Sequence, residues 1–235
     1  MKTILILISL MLAGFSVTAQ TTNVSIGTVA NDHTGAALRN AINLLNQNDT
    51  YLSTRISTAT NWDDVVVPAF AAGSGQSAPS PGAFGPSGAL QALMFQPSTI
   101  VDQLYFTCQL PHRWLEGSPL HPHIHWSRTA NPGSASATNV VWGIEYSFAT
   151  IEGTFLAPTT LRITNGVASA NWVHQLSEFE PAITHTTNKV SSVLVGRIFR
   201  DATNTSDTYD QNAALLSFDI HIIQNSLGST EELVK

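Results

Sequence analysis

The chain has 235 residues and a formal net charge of −6, with 11 % charged and 43 % hydrophobic residues, where an ordinary soluble domain is roughly a quarter charged. Ten Lys and Arg against sixteen Asp and Glu leave no basic patch to neutralise phosphates, which excludes a nucleic-acid binder. Apolar blocks recur to the C-terminus and exclude long-range disorder. The missing charge is replaced by Ser, Thr, Asn, Gln and Gly, a neutral hydrogen-bonding surface that suits an extracellular or particle-bound β protein.

Met1-Lys2-Thr3 supplies a positive start, and the apolar run 4–17 is interrupted only by Ser9, Gly14 and Ser16. Val17-Thr18-Ala19 before Gln20 has the small residues of an export cleavage site. The run falls short of the roughly 20 residues of a membrane helix, and no stop-transfer segment follows. Residues 1–19 are expected to be a signal peptide. The mature chain is then secreted, extracellular or particle-associated, with no membrane span. Cys108 is the single cysteine, so no intrachain disulfide forms, and its strand-like surroundings predict a buried inert thiol.

A polar turn over 20–34 leads into an expected helix from Ala36 to about Asn48, with Leu38, Ile42 and Leu45 on one face. Leu38, Ile42, Leu45, Asp49, Leu52, Ile56 and Ala59 continue in alternating steps of four and three, the a/d seam of a coiled coil. Asp49 breaks that seam, and Asn48-Asp49-Thr50 can instead cap a second short helix. So short a helix needs a partner for its stripe, either its own β domain or sister chains. Leu38, Ile42, Leu45, Leu52 and Ile56 are the expected oligomerisation residues, and 20–60 the oligomerisation segment.

Residues 61–235 read as a β domain. Asn61-Trp62-Asp63-Asp64 marks its boundary, a Val65-Val66-Val67 strand follows, and 73–88 is a Pro/Gly/Ser loop without periodicity. Strand-like blocks then arrive at 90–95, 103–110, 120–128, 139–149, 160–164, 171–176, 190–200 and 214–224. Turn-rich separators and no crossover helix predict an antiparallel, jelly-roll-like β-sandwich.

In His121-Pro122-His123-Ile124-His125-Trp126, alternate side chains share a face. Ile124 and Trp126 belong to the core, which sends His121, His123 and His125 outward. The same phasing puts Val140, Trp142, Ile144, Tyr146 and Phe148 inward and Glu145 outward. It also puts Leu216, Phe218, Ile220 and Ile222 inward, with Asp219 and His221 outward. If these strands are neighbours, His121, His123, His125, Glu145 and His221 gather metal-ligand chemistry on one face. Histidines two apart lie about 6.6–7 Å apart at Cα, within reach of one ion. The expected occupant is a structural transition metal or zinc shared between subunits; the alternative is a metal-free set of hydrogen-bonded histidines.

A cupin enzyme also carries His-x-His on a jelly-roll strand, and Gly117 precedes His123 by six residues. The stretch from Trp126 to Thr129 lacks the Glu that family needs. Glu178 and Glu180, two apart, read as a solvated edge rather than a glycosidase pair. Asp201, Asp207 and Asp210 lie in a polar loop without calcium-loop spacing and read as a plain connection.

Two stretches resemble a known class. Asn31-Asp32-His33-Thr34-Gly35, then Leu38-Arg39, Ala41-Ile42 and Asn46, resembles an N-terminal element of phage tail-fibre and other virion proteins. His33 stands in place of the usual Gly, Ala36 of Asp and Ile42 of Phe. Trp62-Asp63-Asp64, the run Leu120 to Trp126, Leu176-Ser177-Glu178-Phe179, Arg197-Ile198-Phe199-Arg200-Asp201 and Leu227-Gly228-Ser229 are similar to pieces of phage and prophage structural proteins. The resemblance implies a non-enzymatic, homotrimeric virion or fibre component that binds a cell-surface glycan or a virion partner. An export signal suits a prophage-derived protein displayed outside the cell. Ile at a with Leu at d points to dimers instead. Three readings are therefore set side by side: a structural or adhesive fibre-type protein, a carbohydrate-binding β-sandwich module, and a cupin-like metal-dependent enzyme.

Overall fold

The computed structural model describes residues 33, 38–58, 60–68, 73–74, 77–97, 101–184, 189–229 and 231–232. The expected signal peptide, most of the 20–34 turn and the side chains of Leu38 and Ile56 lie outside this set. The chain divides into two units, 1–57 and 58–235.

In the first unit, α1 (Leu38–Thr58) is one unbroken helix of 21 residues. It runs through Asn48-Asp49-Thr50, so that triplet caps no second helix; Thr50 donates instead to the Asn46 carbonyl at 2.8 Å. Arg55 in the last turn complements the negative end of the helix dipole.

The second unit holds β1 (Asn61–Pro68), β2 (Gly73–Ser74), β3 (Ser80–Phe84), β4 (Leu90–Phe95), β5 (Gln103–Gln109), β6 (His121–Arg128), β7 (Asn139–Ala149), β8 (Thr159–Gly166), β9 (Gln175–Glu178), β10 (Val193–Arg200) and β11 (Ala213–Gln224). One sheet has the order β3-β4-β11-β6-β9, with β1 beside β11; the other has the order β2-β5-β10-β7-β8. All pairings are antiparallel. Counting β4 to β11 as eight strands, the first, eighth, third and sixth form one sheet. The second, seventh, fourth and fifth form the other, which is a jelly roll.

Three local readings change. The segment 73–88 contains β2 and β3, and β3 forms a hairpin with β4 closed by Gly88 N–H donating to the Gly85 carbonyl at 3.0 Å. The strand expected over 171–176 begins only at Gln175, because a turn holds Trp172 at φ 65°. Leu216 does not face the main core. The β6–β11 register shifts between Leu215 and Ser217, and the extra residue reverses the phase. Leu216 packs instead with Ala92, Met94, Ala214 and Phe84.

Between the sheets lie Ile124 and Trp126 from β6, Trp142 and Ile144 from β7, Phe106 from β5, Ile198 from β10, and Phe218, Ile220 and Ile222 from β11. Trp142 meets Phe95 and Trp126 edge-on at centroid separations of 5.1 and 5.9 Å, as aromatic quadrupoles favour. Cys108 is buried in this core. Because Ile124 and Trp126 are drawn inward, the alternate residues of β6 stand on the outer face of its sheet.

Candidate functional site

Pairing register lays out that outer face in rows. Asp64, His221 and His121 lie side by side on β1, β11 and β6. Two residues along come Val66, Asp219, His123 and Glu178, the last from β9. The third row holds Ser217, His125 and Leu176. The structure thus brings His121, His123, His125 and His221 together. It does not bring Glu145 to them: β7 belongs to the opposite sheet, where the Glu145 carboxylate pairs with Arg197 Nε at 2.5 Å. There it borders an apolar groove lined by Tyr105, Phe155, Leu156 and Val195.

Asp219 is the hub. Its Oδ1 accepts from Ser217 Oγ at 2.5 Å, and its Oδ2 lies 3.0 Å from His125 Nε2 and 3.6 Å from His123 Nε2. His123 has its Nδ1 3.3 Å from the His121 carbonyl, which places the ring proton on Nδ1. Its side chain is 1 % exposed, and 3.6 Å is too long for a hydrogen bond, so Nε2 is buried without a hydrogen-bond partner. His125 Nδ1 and His174 Nε2 share a 2.6 Å hydrogen bond.

The neighbours form a rim. His221 Nε2 pairs with Asp64 Oδ1 at 3.0 Å, while its ring lies against His123 with centroids 3.9 Å apart. His121 Nδ1 pairs with Glu178 Oε1 at 3.1 Å. Trp62 closes on the rings of His121 and His221 at 5.4 and 6.3 Å. Among the described residues, donor atoms within 4.8 Å of one another occur in three sets: His123 with His125 and Asp219, His123 with His221 and Asp64, and His121 with Glu178 and Glu180.

Electrostatics separates the members. Burial opposes charge on His123, but the Asp219 carboxylate and the His121 carbonyl outweigh it and hold the ring above the ordinary histidine value. For His125, burial, supported by the His123 and His174 rings, outweighs Asp219 and lowers the value. Burial also opposes charge on Asp219, yet its contacts with His123, Ser217 and His125 hold the carboxyl below its usual range. Imidazole nitrogens converging with a carboxylate are the donor chemistry of divalent transition cations.

Asp64 and His174 are absent from the sequence expectation. Asp64 sits in a boundary motif, and only the β1–β11 pairing brings it to His221. His174 lies in the turn before β9 and carries no periodicity signal. Glu178, read as a solvated edge, engages His121. The polar loop after β10 is a connection built on ion pairs: Asp207 with Arg200, and Asp201 with Arg162.

No protein-family model and no curated protein matches the chain. Solved structures with some likeness include two of infectious bursal disease virus. The Gx strain gives 12 % identity, a TM-score of 0.35 and coverage of 72 % of this chain and 33 % of that one. The Gt strain gives 11 %, 0.34, 70 % and 32 %. An arabinose-bound α-L-arabinofuranosidase gives 14 %, 0.29, 73 % and 24 %. The chain thus spans a third or less of each of these three chains, and at these scores the likenesses identify neither a family nor an activity.

Proposed function

We propose that this chain is a non-enzymatic structural protein of the virion or tail-fibre kind, assembled as a homotrimer through α1. After export, its jelly roll is the body displayed towards a surface ligand such as a cell-surface glycan. The observation that carries the reading is the apolar stripe of α1. Ile42, Leu45 and Leu52 are 47, 57 and 51 % exposed, in the three–four spacing of a helix that knobs-into-holes packing buries.

Sister chains are the fitting occupant, because a heptad seam is complementary to copies of itself. Each buried Leu or Ile contributes about 1.5–3 kcal/mol, repeated over the chains, whereas a lone helix of this length is marginal. Asp49, at an a position, weakens the seam by one layer. The jelly roll suits the role, since that architecture serves in viral capsid and lectin domains.

Light scattering on the chain lacking residues 1–19 tests this. A trimeric mass that falls to the monomer in the double variant Leu45→Ser, Leu52→Ser supports the reading. A monomeric parent, or a mass unchanged by the two substitutions, overturns assembly through α1.

A further inference from the structure

We propose that His123, His125 and Asp219 form a mononuclear binding site for a divalent transition cation of the zinc class. The site goes beyond the assembly reading and does not depend on it, since all three donors belong to one chain.

The first observation is the buried Nε2 of His123. With the ring proton held on Nδ1 by the His121 carbonyl, Nε2 presents a lone pair. That lone pair is sealed from water, has no donor, and faces the Asp219 Oδ2 at 3.6 Å. A lone pair opposite a carboxylate oxygen is unfavourable unless a proton or a metal cation lies between them, and the spacing of the donors favours the metal.

The second observation is spacing. At metal–ligand distances of about 2.1 Å, neighbouring donors are about 3.0 Å apart at octahedral angles and about 3.4 Å at tetrahedral ones. Asp219 Oδ2 lies 3.0 Å from His125 Nε2 and 3.6 Å from His123 Nε2, and all three donors fall within 4.8 Å of one another. Each donor is also held from behind. Ser217 Oγ fixes the carboxylate, the His121 carbonyl fixes one ring, and His174 engages Nδ1 of the other, which is how metal-bound residues are oriented.

The two other donor sets are weaker. His221 already faces Asp64 at 3.0 Å, and Glu178 already engages His121 at 3.1 Å; these two carboxylates are 47 and 43 % exposed, against 9 % for Asp219, and the second set leaves out the buried His123 Nε2. His125 keeps a fifth of its side chain exposed, so the cation enters from that side and coordination positions left by the chain face water.

The test uses untagged full chain, stripped with a chelator, and titrated with zinc by calorimetry and with cobalt(II) by visible absorption. One ion per chain is expected, with the absorption bands of nitrogen–oxygen coordination and a rise in melting temperature. His125→Gln and Asp219→Asn, both checked for folding by circular dichroism, should each weaken binding by about tenfold or more. His221→Gln and Glu178→Gln should leave affinity within a few-fold of the parent, and the α1 double variant should still bind one ion per chain. Absence of binding to the parent overturns the proposal. So does binding that survives His125→Gln and Asp219→Asn but is lost in His221→Gln, and so does one ion per trimer that disappears with the α1 variant.

Discussion

Arg200 shows how much a single buried charge is asked to hold. Its guanidinium, fully buried, grips Asp207 through two bonds of 3.0 and 2.7 Å, and donates to the carbonyls of Phe95, Gln211 and Tyr209. Asp207 also accepts the Val141 N–H at 2.9 Å. Removing the carboxylate leaves a cation in the interior with only carbonyl partners. Asp207→Ala is therefore expected to cost about 3–5 kcal/mol in denaturant unfolding. The Arg162–Asp201 pair looks similar on paper, but the Arg162 side chain is half exposed. Arg162→Ala should cost no more than about 1 kcal/mol. Equal losses in the two variants would refute this ranking.

Cys108 makes a second case. Burial pushes its thiol up to about 11, so the folded chain keeps the proton that an unfolded chain releases near 8.5–9. Above pH 9 the unfolded state is therefore favoured increasingly, until the folded thiol also ionises. Stability should fall by roughly 2–3 kcal/mol from this group between pH 9 and 11, and Cys108→Ala should flatten that slope. Thiol reagents at pH 8 should label the chain only after denaturant is added, and rapid labelling of folded protein would contradict the burial.

At the scale of elements, close packing shows where a strand tolerates no side chain. A Cβ at Gly143 on β7 would meet the Phe199 ring of β10 at 2.2–2.7 Å. That ring cannot swing away cheaply, because the guanidiniums of Arg162 and Arg197 lie 5.5 and 4.8 Å from its centroid. Gly143→Ala should lower stability by about 1–3 kcal/mol, read as a shifted urea midpoint at unchanged slope. An unmoved midpoint would mean the ring has another place to go. The bulge in β11 works at the same scale. It lets Ala213 and Leu215 share the core with Phe218 and Ile220 although the two pairs differ in phase. Strict alternation could not anticipate it, since one inserted residue sends Leu216 to the opposite face.

For the whole molecule, the two-period pattern of 121–126 and 140–148 was enough to send Ile124, Trp126, Trp142 and Ile144 inward, and His121, His123 and His125 outward. That follows from the pleat, which depends only on neighbours along the chain. The same holds for α1, whose three–four spacing is local. Which strands lie together is another matter, because each edge of a strand offers the same N–H and C=O groups to any partner. Glu145 has the outward phase of the histidines, yet the jelly-roll winding places β7 in the other sheet beside Arg197. Asp64 lies 157 residues before His221 and reaches it only because β1 pairs with β11. His174 comes from a turn that no period describes. Burial of His123 was likewise a tertiary outcome: its outward phase was local, but the His221 ring and Asp219 carboxylate of β11, with the His125 ring, cover it. The sequence by itself determined the type of the long elements and the phase of their side chains along unbroken stretches, because these depend on backbone geometry; β2, β3 and the β11 bulge escaped it. The tertiary structure alone decided the partners, and with them which donors meet at Asp219, because long-range pairing is settled by the packing of the whole core.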